Sequence, residues 1–110
     1  MQIFVTQGRY SREAIKGMID RPEDRGPVVA KLCEQAGGRL LAYYLTFGEY
    51  DFLTVAEMPS HREAASVVLA AAAGGVSDLK TTLAMSTAEA KDVFAATGKL
   101  MPGYQPPGAG

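Results

Sequence analysis

Two stretches of this chain, residues 39–46 and 51–57, are apolar at most positions, with Arg39, Thr46, Asp51 and Glu57 at their ends, and only Phe47-Gly48-Glu49-Tyr50 separates them. Runs rich in leucine, aromatic and β-branched residues on either side of a short glycine-containing reversal read as the two strands of an antiparallel hairpin. In a sheet with one wet face, every second side chain along a strand is polar. Here Leu40, Ala42 and Tyr44 point one way and Leu41, Tyr43 and Leu45 the other, while Phe52, Thr54 and Ala56 alternate with Leu53 and Val55. Both faces of the hairpin therefore need cover, and a plan that leaves one face in water does not suit this sequence.

The remaining elements fall around that hairpin. Residues 2–6 read as a first strand leaving through Gln7-Gly8. Ser11 is placed to cap a helix that carries Ala14, Ile15, Met18 and Ile19 on one face. The helical pattern breaks at Asp20-Arg21-Pro22 and resumes, with Pro22 suited to a first turn, towards Ala36 with Val29, Leu32, Cys33 and Ala36 inward. Gly26-Pro27 requires either a kink there or a regular helix that starts at Pro27. Gly37-Gly38 and Gly74-Gly75 are stop signals. Ser60-His61-Arg62-Glu63 has the form of a capping box and opens a helix to about Ala73 whose inward stripe is Ala64, Val67, Val68 and Ala71. Residues 76–85 read as a last strand, and Ser86-Thr87-Ala88-Glu89 is a second capping box opening a helix to about Ala96.

This is the β-α-β-β-α-β order of an α+β, ferredoxin-like fold: an antiparallel sheet with two helices on one face, here with an extra C-terminal helix and a tail. Residues 1–97 are expected to form the domain and residues 98–110 a Gly/Pro-rich tail, which lies along its own domain or a partner chain with Leu100, Met101 and Tyr104 as anchors. The second sheet face also collects Ile3 and Val5 opposite Phe4, so a face-to-face homodimer, a dimeric α/β-barrel-like assembly, is the expected cover, with higher oligomers open.

Composition narrows the partners. A chain of 110 residues suits one domain, and 11 Lys and Arg against 12 Asp and Glu leave a formal charge of -1. Nothing in that balance draws a nucleic-acid backbone or a membrane surface, so neither is an expected partner. The longest apolar run is too short to span a bilayer and the N-terminus lacks a charged leader, which leads to a cytoplasmic expectation. Cys33 is the single cysteine, in keeping with a reducing compartment.

No complete catalytic or metal-binding motif is present. His61 is the only histidine and has no cysteine cluster to join, so no metal site is expected, and no cofactor either. The glycine pairs follow helices and precede strands, the reverse of a phosphate-cradling loop. Four residues stand out as ligand-binding candidates: Tyr44, Tyr50, Asp51 and His61. Asp51 either accepts backbone amides of the turn or faces a pocket as general base or ligand anchor. Tyr44 and Tyr50 are either packed aromatics or ring contacts for a substrate. His61 and Arg62 put positive charge at the positive end of a helix, where they either extend into water or border an anion. Cys33 reads as a small buried hydrophobe.

The run Leu41-Ala42-Tyr43-Tyr44-Leu45-Thr46-Phe47-Gly48-Glu49-Tyr50-Asp51 resembles the signature of the GYD-domain family. The likeness extends to Thr6-Gln7-Gly8, Glu13-Ala14-Ile15-Lys16-Gly17, Pro22 with Arg25, Gly37-Gly38 and the final strand, while Gly26-Pro27 and the tail depart from it. The resemblance implies a ferredoxin-like chain related in plan to dimeric α/β-barrel proteins, and it implies no particular reaction. The function expected is an oligomeric small-molecule-binding or regulatory module. The alternatives are a cofactor-free enzyme of monooxygenase or isomerase type, with Asp51 or His61 as base, and a purely structural self-association module.

Overall fold

A computed structural model describes residues 1–108. The chain runs β1 (Gln2–Tyr10), α1 (Arg12–Asp20), α2 (Gly26–Gln35), β2 (Arg39–Leu45), β3 (Phe52–Met58), α3 (His61–Ala73), β4 (Val76–Ala84) and α4 (Thr87–Leu100), followed by one 3-10 turn over Met101–Gly103. The strands form one antiparallel sheet in the order β2-β3-β1-β4, the ferredoxin-like arrangement expected from the element order.

β1 is longer than its sequence pattern indicates. Gln7-Gly8 is not an exit turn: the strand continues to Tyr10 and pairs with β4 through a bulge between Gln7 and Arg9, opposite Asp78 in the left-handed region at φ 51°. Gly8 is required there by close approach, since a Cβ would come within 2.8 Å of Phe52 Cζ and 3.0 Å of Leu79 Cδ2. Gly48 differs. It has ordinary backbone angles and open space around it, so the reversal between β2 and β3 is closed by other groups: Thr46 N donates to Asp51 O at 2.8 Å and Thr46 Oγ1 to Tyr50 O at 2.6 Å.

The first helical segment is two helices. α1 is capped by Ser11, whose Oγ accepts from Ala14 N at 3.1 Å, and ends at Asp20. α2 begins at Gly26 with Pro27 in its first turn, so the proline marks a start and not a kink; Pro22 lies in the connection and opens no helix. Ala14 and Met18 are half-buried, but Ile15 and Ile19 are exposed, because α1 sits at the end of the sheet beside β1 and covers little of it. Ser60 and Ser86 cap α3 and α4 by accepting from Arg62 N and Glu89 N.

The core lies between the sheet and α2 and α3, where Phe4, Cys33, Ala56, Met58 and Ala64 are buried with Val29, Ala36, Leu40 and Val67 packed around them. The opposite face carries Ile3, Val5, Leu53 and Val55 with Ala42 and Tyr44, which a bulge after Leu40 turns away from Leu40 and the core, and among the described residues no helix covers it. α4 passes through Gly98 instead of ending near Ala96, with Thr97 Oγ1 donating to Val93 O at 2.8 Å and Lys99 complementing the last turn. It projects from the body, which explains a radius of gyration of 18.2 Å where a domain of this length has about 13 Å.

Candidate functional site

The polar alternation of the sheet fails at one place on its helix-covered face. β1 contributes Thr6 and Tyr10, β2 contributes Tyr43, and β3 contributes Thr54 to a face that is otherwise Phe4, Phe52, Ala56 and Met58. Above these residues α2 contacts β2 and α3 contacts β3 and β4, but no packed seam forms between the two helices. The poly-alanine end of α3 explains part of that gap, since Ala70 to Ala73 carry too little side chain to reach α2. What remains is a cavity of about 520 Å³ bounded by the sheet, by Val28, Val29, Leu32 and Cys33 of α2, and by Val67, Val68 and Ala71 of α3.

Its polar centre is a pair of phenols. The hydroxyls of Tyr10 and Tyr43 hydrogen-bond to each other, and Tyr10 stacks at a tilt against Phe52 with ring centroids 5.2 Å apart. Burial, then the bond to Tyr43, pushes the Tyr10 phenol well above its ordinary value, so it stays protonated across the physiological range. Burial likewise pushes the Cys33 thiol up, with Glu34 adding to the effect, so Cys33 is a neutral wall of the cavity and not a thiolate. Thr6 and Thr81 share a hydroxyl hydrogen bond of 3.1 Å, and Thr54 Oγ1 donates to Thr6 O at 3.4 Å. The ionised residues bordering the cavity are Arg25, at the entry to α2, and Lys31 on its flank.

The four candidates read from sequence do not meet. Asp51 is held at the corner of the sheet: Tyr10 N donates to its Oδ2 at 2.9 Å, and its own N–H donates to Gly8 O at 2.8 Å. It accepts a backbone amide, but that amide belongs to the end of β1 and not to the turn. By fixing Tyr10, Asp51 positions a cavity residue without lining the cavity. Tyr50 packs under Arg9, whose Cζ lies 5.6 Å from the ring centroid while its Nε donates to Glu49 O at 2.8 Å. Tyr44 is exposed on the uncovered face. His61 is exposed at the start of α3, where the carboxylate of Glu63, accepting from the Ser60 hydroxyl, answers the positive charge. That hydrogen bond holds the Glu63 carboxyl below the usual range, helped by its own backbone amide. Among the described residues, no cluster of His, Cys, Asp and Glu is grouped to hold a metal ion, and no helix is long and apolar enough to cross a membrane.

Sequence reasoning passed over Tyr10, Thr6 and Arg25. The signal for Tyr10 was hidden by ending β1 too early. Extended by four residues, β1 places Phe4, Thr6, Gly8 and Tyr10 on one face.

An antiparallel β2-β3-β1-β4 sheet with helices on one side defines a ferredoxin-like α+β protein, here with a cavity between its layers. Residues 4–94 match the GYD domain model, and the chain belongs to that family. Comparison with curated proteins and with solved structures gives no match.

Proposed function

We propose that this chain is a self-associating module that binds a small, largely apolar molecule between its sheet and its helices. The observation that carries the reading is the cavity itself. At about 520 Å³ it has the size of sites that take drug-sized ligands, and an apolar lining with a few convergent polar groups is their usual construction. A purely structural module would fill that volume with side chains, as interiors are close-packed. The second half of the proposal is a face-to-face homodimer through Ile3, Val5, Leu53 and Val55, since an uncovered apolar sheet is a hazard for a monomer. The exposed Val93, Phe94, Leu100, Met101 and Tyr104 of the C-terminal arm would dock on that partner, as α4 does not pack on its own sheet.

The cofactor-free enzyme reading is favoured by one observation, the phenol pair inside the cavity, with a tyrosine in place of Asp51 or His61 as the proton donor. Binding is preferred because Asp51 is engaged by Tyr10 N and His61 lies outside the cavity lining.

Filling the cavity tests the reading. 2-Naphthylmethanol, followed by its own fluorescence, is expected to bind the wild-type protein, and Ala71→Trp to weaken it by about tenfold or more while circular dichroism stays native. Equal binding to both proteins would place the probe elsewhere and end the proposal, as would no binding to either.

A further inference from the structure

The charged residues that line the cavity have one sign, with the Asp51 carboxylate behind the lining, bound to Tyr10 N and acting on the Tyr10 phenol. The 24 lining residues include Arg25 and Lys31 and no Asp or Glu. Acidic groups are close by but engaged elsewhere: Glu23 Oε1 accepts from Arg25 Nη1 at 2.8 Å, and Asp24 Oδ1 accepts from Gly26 N at 2.9 Å. Glu23 borders a second, smaller hollow beneath α1, which meets the first at Tyr10, Arg25, Gly74 and Val76. The Arg25–Glu23 pair is exposed on both sides, and exposed pairs are worth only about 0–1 kcal/mol, so a ligand can compete for the guanidinium. A guanidinium also has five N–H donors, of which this pair uses one.

Hydrogen-bond capacity is skewed the same way. Two phenolic hydroxyls that bond to each other use one of their two protons, and the other is left to donate. On the sheet floor Thr54 spends its proton on Thr6 O, and the Thr6–Thr81 pair, by the same count, leaves one more proton to donate. The site thus offers a phenolic proton with the Arg25 guanidinium close enough to act on Tyr10, the Phe52 ring against both phenols, and, elsewhere in the lining, Phe4, Val29, Ala56 and Val67 with the ammonium of Lys31. A cation would meet two like charges here, and a neutral hydrocarbon would leave the donors unused.

We infer that the cavity takes an amphipathic organic carboxylate, its ring-sized apolar body against Phe4, Phe52 and Ala56 and its head at Arg25 and the Tyr10–Tyr43 hydroxyls. This rests on the cavity being a binding site, and it adds the charge and orientation of what binds. Arg25 acts as the anchor of the head and Lys31 as a flexible second charge on the lip of α2, so affinity falls with salt while the apolar contact does not.

Three probes with one body separate the two readings: 2-naphthoate, 2-naphthylmethanol and 2-naphthylmethylammonium, titrated against the whole chain at low and high salt. The carboxylate is expected to bind about tenfold tighter than the alcohol at low salt, with the ammonium weakest. Arg25→Gln should bring the carboxylate down to the level of the alcohol, and high salt should narrow the gap in the wild type. Equal affinity of carboxylate and alcohol, or a preference that survives Arg25→Gln unchanged, overturns the carboxylate inference and leaves the cavity reading standing. Failure of all three probes to bind overturns both.

Discussion

The two faces of this sheet carry similar amounts of apolar side chain and are treated in opposite ways. On one, α2 and α3 cover Phe4, Phe52, Ala56 and Met58 to below a tenth exposed, yet leave a cavity over Thr6, Tyr10, Tyr43 and Thr54. On the other, Ile3, Val5, Leu53 and Val55 are flush and continuous, shielded only by each other, with Tyr44 at 61 % exposed standing up from β2. The covered face has hydroxyls within it, whereas on the uncovered one Gln7, Glu57, Lys80 and Thr82 border the apolar patch. An apolar patch with a polar border suits burial against another flat apolar face, with the polar groups left at a wet rim. A face with hydroxyls under incomplete cover suits a ligand that brings its own acceptors. Strand alternation thus divides the sheet into the side proposed for assembly and the side proposed for binding.

The largest expected effect comes from putting a charge on the assembly side. Val55 lies opposite Val5 in the β1–β3 register and beside Ala42 in β2. In a face-to-face dimer Val55→Asp buries an unpaired carboxylate against its copy, which costs about 3–5 kcal/mol and weakens association by roughly 100-fold or more. Light scattering should show the wild type at twice the chain mass and the variant at one chain mass, with retained circular dichroism. A wild type that is monomeric, or a variant of undiminished mass, removes the assembly side from the comparison.

Smaller effects are expected where the binding side is pinned at its corner. Gly8→Ala drives a methyl against the Phe52 ring, itself only 6 % exposed and unable to swing aside, at a cost of about 1–3 kcal/mol. Asp51→Ala strips Tyr10 N of its acceptor, at about 1–2 kcal/mol. Gly48→Ala and Glu49→Ala, in the same loop system, should lie within about 0.5 kcal/mol of the wild type, since Gly48 meets nothing within 4 Å and the Glu49 side chain is exposed. Urea denaturation midpoints rank the four. If Gly48→Ala proves the most damaging, the reversal is held by its glycine and not by Asp51 and Thr46.

The element order, the hairpin, both serine caps and the two-sided apolar character of β2 and β3 were legible because each is a local pattern: a period of two, a stop glycine, a Ser-x-x-Glu spacing. The site was legible only in part. Tyr50 and Asp51 stand out as polar residues in a turn, yet Asp51 serves Tyr10, 41 positions away, and Tyr50 packs under Arg9, and no local pattern reports contacts of that span. β1 was cut short because Gln7-Gly8 has the composition of a turn. Its glycine answers to Phe52 across the sheet, a tertiary demand that one-strand reasoning does not see. The cavity arises from what α2 and α3 fail to do to each other, and the weak packing of four successive alanines was its only trace in the sequence.

Of the substitutions expected to destabilise, the mildest is also the most local to the cavity. Burial and the bond to Tyr43 raise the Tyr10 phenol above its ordinary value, so the folded pKa exceeds the unfolded one, near ~10. The sign follows from proton counting. Above that ordinary value the unfolded chain has released the proton that the folded chain still holds, so stability falls as pH climbs, while below it the contribution is fully present. Tyr10→Phe removes the titrating group, costs about 1 kcal/mol at neutral pH through the lost hydrogen bond, and flattens the alkaline limb. Urea midpoints measured from neutral pH to above ~10 should therefore converge for the two proteins as pH rises. Parallel curves would mean that Tyr10 is open to water in solution, and the cavity face would lose the shielded, protonated phenol pair that sets it apart from the uncovered face.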